Sequence, residues 1–297
     1  MRPSYVTAVI AVLLAGLGSA GLSTGSIVLM RVAFFPDSPT ASLNLGIAFF
    51  ALGALITPVL VDVLSGAGTF TRAAIVLALI CLLPALFAAV ANGQEFPVKH
   101  NPADTTSLGL SQAVWLAGLV FFFYAPLEAS ISIWATTLLT ELGQGERGAT
   151  WTLSGFWCAF LGSRLLTALA AHTPYLAGWE SWLLVIPAAL VAVLLGNLSG
   201  TASRAGARRG LYLVGFLLGP IFPTLIGILF QRLQADNLEA YGTAYGLVFA
   251  FGSLGSLVLA PVIGSIARRR NVQFALRIPM LLAIVMTLAA LVFSLLA

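Results

Sequence analysis

Charge is what this sequence has least of. Only 8% of its 297 residues are Asp, Glu, Lys or Arg, and 60% are hydrophobic, whereas an ordinary soluble domain is about a quarter charged. Core burial does not close that gap, because a soluble fold of this size still needs a polar surface. With a mean hydropathy of +1.02, the chain reads as an integral membrane protein. Histidine and cysteine are scarce, two of each. Cys81 and Cys158 sit inside apolar runs and read as free core thiols, not as a disulfide or a metal pair. His100 and His172 lie in or beside loops with no Cys, Asp or Glu at ligand spacing. There is no Walker motif, HExxH, GxSxG or Ser/His/Asp arrangement, so neither ATP-driven nor hydrolytic chemistry is supported, and no metal or cofactor is expected. Basic residues interleaved with aromatics are missing too, so nucleic acid is set aside as a partner. The pI near 9.4 reads as loop arginines flanking membrane spans.

What is there is apolar sequence in long blocks. A helix spans the hydrocarbon with about 20 apolar residues. Nine runs qualify, at roughly 5–30, 42–64, 73–92, 112–140, 149–171, 181–198, 209–231, 241–266 and 275–296. Each is expected to be helical throughout, since irregular backbone cannot face lipid. The connections are short except for Asn92–Gly109, which holds most of the soluble-looking sequence. This predicts a partial N-terminal bundle of three helices (1–93), an inter-bundle loop (94–111) and a C-terminal six-helix bundle (112–297). The GLGSAG at Gly16–Gly21 matches G-x-G-x-x-G, but no strand precedes it. Inside a membrane helix, such glycines serve close backbone approach.

Two pairs of helices resemble each other. LLAGLGSAGLSTGSIVL and NLGIAFFALGALITPVL are answered by YLVGFLLGPIFPTLIGIL and YGLVFAFGSLGSLVLAPVI, about 200 residues later, with Pro58 matching Pro261. Three helices separate the copies, so the repeating unit is six helices and the first copy lacks its opening three. Parallel six-helix repeats are the architecture of major facilitator transporters. Several local patterns agree: Asn44, Phe49-Phe50, Gly53 and Pro58; Tyr124, Glu128 and Trp134; Gly162 and Arg164; GPIFP at Gly219–Pro223; and Gly252, Gly255, Pro261 and Gly264. In that order they resemble the fucose-permease-like, sugar:proton symporter branch of the major facilitator superfamily, from its fourth helix to its twelfth. The sequence departs from that pattern at Ile47, where the family usually carries a polar residue, at Ser23–Ser26, where an acid or amide is common, and at Pro126, where glycine is usual.

Glu128 is the residue that most needs explaining. An acidic side chain at the bilayer centre costs about 2.5–3.5 kcal/mol on insertion scales and usually faces a bundle interior or a wet cavity. Tyr124, Glu128, Ser132 and Thr136 recur every fourth residue and form one polar stripe on a greasy helix. The stripe should line a cavity, and Pro126 should bend the helix beside it. Glu128 is expected to bind a polar solute, a proton, or both in turn; the rival expectation is a neutral structural Glu bonded to a neighbouring helix. Trp134 lies about 120° around an ideal helix from Glu128. It is either a stacking platform, as the resemblance implies, or a packing and interface residue. Arg164 could reach Glu128, but a snorkelling arginine is the favoured expectation. Asn44 begins its apolar run and reads as an N-cap, or, by the resemblance, as a substrate contact. Pro58, Pro126, Pro220, Pro223 and Pro261 are candidate helix breaks or gates, with GPIFP freeing carbonyls toward the cavity.

Alternate loops divide the 14 basic residues unevenly. Arg2, Arg72, Arg147, Arg204, Arg208, Arg209, Arg268, Arg269, Arg270 and Arg277 fall on one side, and Arg31, Lys99, Arg164 and Arg232 on the other. The charge rule puts the N-terminus inside, whereas the resemblance implies the C-terminus inside. The leading expectation is a non-enzymatic transporter in the cell (inner) membrane, moving a sugar or similar small polar solute by alternating access, coupled to protons. A truncated relative, inactive or completed by a separate chain supplying three helices, is the alternative. A membrane-embedded enzyme comes third.

Overall fold

The computed structural model describes residues 5–66, 70–90, 111–173, 178–233 and 238–296. Arg2, Lys99, His100 and the expected inter-bundle loop, Ser111 apart, lie outside them. Eleven helices account for nearly all of the described chain: α1 (Tyr5–Ala33), α2 (Pro39–Gly66), α3 (Phe70–Val90), α4 (Gln112–Glu141), α5 (Glu146–Ala171), α6 (Trp182–Gly200), α7 (Arg204–Leu218), α8 (Ile221–Leu233), α9 (Leu238–Arg269), α10 (Val272–Ala275) and α11 (Arg277–Leu296). Eight stretches are long and apolar enough to cross a membrane, and α3 adds a shorter apolar stretch, Arg72–Phe87. The chain is thus a multi-pass, all-helical membrane protein.

One expectation fails in an informative way. The run at 209–231 is not one continuous helix, because α7 ends at Leu218 and α8 starts at Ile221. Pro220 and Pro223 have no N–H to donate, so the helical ladder cannot pass through this segment intact. By contrast, α2 continues through Pro58, α4 through Pro126 and α9 through Pro261. The two thiols are also corrected. Cys81 and Cys158 are free but exposed, on outward helix faces and not in the core.

Helix ends are set by local chemistry. The Ser203 hydroxyl accepts the Gly206 N–H at 3.2 Å and caps α7; Asn271 Oδ1 accepts the Phe274 N–H at 2.7 Å and caps α10. Gly143, at φ +79°, closes α4 in the left-handed conformation that favours glycine. Its N–H donates to Thr140 O at 2.9 Å.

Packing brings α4 against α9 and α11, α5 against α2 and α7, and α6 against α11, with α1 resting on α2 and α9. On the α4–α9 seam, a methyl added at Gly255 would lie 2.0 Å from the Phe122 carbonyl oxygen. That oxygen has no helical donor, because Pro126 stands four residues on. On the α5–α7 seam, a methyl at Gly219 would meet Ser163 Oγ at 2.1 Å and Phe160 O at 2.6 Å. Both seams therefore need backbones at near-contact distance.

Arg147, Arg204, Arg208, Arg209, Arg268, Arg269, Arg270 and Arg277 gather at one end of the bundle, where α4–α5, α6–α7 and α9–α11 connect. The Arg204 Nε donates to Leu142 O at 2.8 Å there. The opposite end is tied by side chains reaching from the first helices to the later ones. Ser38 Oγ donates to Ala171 O at 3.0 Å, Thr40 Oγ1 to Glu180 Oε2 at 2.9 Å, and the Phe35 and His172 rings lie 4.3 Å apart.

Candidate functional site

A cavity of about 610 Å³ lies between α1 and α2 on one side and α4, α5, α8 and α9 on the other. Tyr124, Glu128 and Ser132 line it from α4, and Arg164 from α5. The four-residue period that predicted a polar stripe therefore does face a cavity, but only as far as Ser132. Thr136 lies beyond the lining. Glu128 is half-buried, with Tyr124 and Arg164 as the groups that act on it electrostatically.

Aromatic rings form much of the wall. Phe121 of α4 stacks on Phe222 of α8 at 4.5 Å, and Tyr245 on Phe249 of α9 at 5.7 Å. Such rings offer flat apolar faces to a solute while packing against one another. From α1, Ser19, Ser23 and Ser26 complete the rim. The Ser23 and Tyr245 hydroxyls are 2.7 Å apart, which joins α1 to α9 across the cavity.

Arg164 does not snorkel. It is 2% exposed, on the cavity side of α5, and its donors go to backbone. Nε donates to Gly219 O at 2.8 Å, and the NH1 amine to Ile47 O at 2.9 Å. Its guanidinium also lies 4.3 Å over the Phe160 ring. Tyr124, 1% exposed, donates its hydroxyl proton to Leu218 O at 3.1 Å.

These two acceptors have a common origin. Pro223 cannot donate to Gly219 O, and the ladder of α8 begins only with Thr224 N–H to Pro220 O at 3.0 Å, so Leu218 O, at the C-terminus of α7, is one of the end carbonyls without a helical donor. A buried carbonyl without a donor costs about 1–3 kcal/mol. Tyr124 and Arg164 meet that need at adjacent residues of the break. Sequence reasoning anticipated freed carbonyls at GPIFP but not that these side chains would take them.

Other expected residues lie elsewhere. Asn44 is fully buried, but α2 starts at Pro39, so Asn44 is interior and not an N-cap. It does not line the cavity either. Its Nδ2 donates to Thr40 O at 2.9 Å and to Thr224 Oγ1 at 3.1 Å, tying α2 to α8, and its Oδ1 is buried without a partner. Trp134 also falls outside the lining, packed on the core, with its ring 3.7 Å from where a methyl at Gly264 of α9 would stand. Pro126, Pro220 and Pro223 are buried and Pro261 is exposed. None of these four lines the cavity, and the side chain of Pro58 lies outside the described residues. The residues that sequence reasoning missed are the α1 serines and the rings of Phe222 and Tyr245. The serines had a signal, since positions 19, 23 and 26 repeat at helical spacing.

No family model matches the chain, and no curated protein matches it. Solved structures do. The chain is similar to FucP, a major facilitator superfamily transporter, in the outward conformation. They share 20% identity and a TM-score of 0.69, with 92% of this chain and 72% of that one covered. It is equally similar to the E. coli fucose:proton symporter FucP in an asparagine-to-alanine variant, at 18% identity, a TM-score of 0.70 and 92% and 73% coverage. Agreement over nine-tenths of the chain, together with the helix count and the central cavity, shows that this protein has the fold of the major facilitator superfamily transporters.

Proposed function

We propose that the chain is a secondary transporter of a sugar or similar small polar solute, working by alternating access, with Glu128 carrying the coupled proton. The carrying observation is the position of Glu128. It is a carboxylate in mid-helix of a membrane span and lines a cavity, and an ionisable group inside a span is a functional site by default. The surrounding rings fit the apolar face of a sugar ring, and Glu128 and Ser132 supply hydrogen-bonding groups. The likeness to a fucose:proton symporter supports the same substrate class.

Uptake of radiolabelled monosaccharides into proteoliposomes tests this, with and without an imposed proton gradient. The expected result is gradient-driven accumulation of at least one sugar by the wild-type chain. Glu128→Gln keeps the shape but loses the charge. It should exchange solute across the membrane without accumulating it. Accumulation by Glu128→Gln equal to wild type would refute the coupling role, and no solute movement by the wild type would refute transport by this chain.

A further inference from the structure

The hydrogen bonds of Tyr124 and Arg164 reach two other elements, the α7–α8 break and α2. Both side chains stand beside Glu128. Both hold the broken segment between α7 and α8, at Leu218 O and Gly219 O. Arg164 alone also reaches Ile47 O on α2, which belongs to the helices on the far side of the cavity. One guanidinium thus joins α5, the α7–α8 break and α2, next to the cavity's only carboxylate among the described residues.

We infer that Tyr124 and Arg164 are positioning residues that pass the charge state of Glu128 to the helix break and to α2. An ionised Glu128 competes with the carbonyls for the guanidinium and weakens the bond to Ile47 O. A neutral Glu128, protonated or masked by solute, leaves Arg164 on its carbonyls, as in this structure. The bond to Ile47 O then acts as a latch between the two sets of helices, in series with the Thr40–Glu180 and Ser38–Ala171 bonds at the end away from the arginines. The groups that face Glu128 are few. Among the described residues they are Tyr124 on its own helix, Arg164 from α5 and Tyr245 from α9, the other titratable groups in the cavity lining. The role of these bonds rests on the alternating-access reading, but the test reads distance and not transport.

Spin labels at Asp37→Cys and Trp179→Cys, both exposed, in a chain with Cys81 and Cys158 replaced by Ser, report that end of the bundle. In otherwise wild-type protein, the label separation should grow as pH is raised from acid to alkaline. Glu128→Gln should hold the short distance at every pH. His172 and Glu180 lie at the same end, and Glu128→Gln leaves both in place, so a surviving pH response in that variant overturns the inference. Arg164→Lys keeps the charge but replaces the fork with a point donor, and it should lose the pH response. If Arg164→Lys does not fold, Tyr124→Phe, which loses the bond to Leu218 O, should flatten the response. An unchanged response in Tyr124→Phe or Arg164→Lys, or no response in the wild type, likewise overturns the inference. A failed uptake assay with the distances behaving as expected would count against the function and not against the latch.

Discussion

Gly255 and Gly264 lie on the same helix, yet alanine should act oppositely at the two. At Gly255 the new methyl would lie 2.0 Å from Phe122 O and 2.9 Å from its carbon. Those are backbone atoms of α4 and cannot rotate away. Relief requires α4 and α9 to separate, and overpacking of this kind costs about 1–3 kcal/mol. Alanine gains about 0.5–1 kcal/mol over glycine within a helix, so the net effect of Gly255→Ala is a loss of roughly 1–2 kcal/mol. At Gly264 the nearest atoms are Arg268 NH1 and Trp134 Cζ2, both at 3.7 Å, which is ordinary contact. Gly264→Ala should therefore be neutral or stabilising by up to about 1 kcal/mol. Equilibrium unfolding in mixed micelles by SDS titration, followed by circular dichroism, measures both variants. A Gly255→Ala protein as stable as wild type, or two shifts of the same sign, would refute the close-packed seam.

Three further outcomes are expected. Trp134→Phe should leave solute affinity within about twofold of wild type, because the ring packs near Gly264 and not on the cavity; isothermal titration of the purified protein checks this. Asn44→Ala should cost about 1 kcal/mol in the same SDS titration, the value of one buried hydrogen bond to Thr224. Asn44→Asp should cost more, because it buries a charge where Oδ1 already lacks a donor.

Most of the helical architecture was legible in the sequence. Long apolar blocks allow little else in a membrane, and the prolines of GPIFP marked where the ladder would fail. The stripe from Tyr124 to Ser132 was legible because it is a property of one helix. Arg164 was not. Its place in the sequence is that of an arginine reaching for an interface, and its actual partners are a carbonyl on α2 and one in the α7–α8 break, the latter freed by Pro223. Asn44 was misplaced for a different reason. The polar start of α2, Pro39–Ser42, hid a helical turn, so an interior residue looked terminal. Trp134 shows the reverse case, since straight-helix geometry had already placed it off the stripe. Single-helix periodicity carries over to the structure; three-body contacts do not.

The break between α7 and α8 makes Pro223 and Arg164 a matched pair. The proline creates a vacancy at Gly219 O, and the arginine fills it. Each is a defect without the other, since a buried guanidinium needs acceptors as much as the carbonyl needs a donor. Among related sequences, the two positions should drift together, and a lineage that regains an N–H at the proline site should be free to give up the arginine. The same logic makes the double replacement milder than either single one, so the pair would evolve as one heritable unit although the two residues lie on different helices.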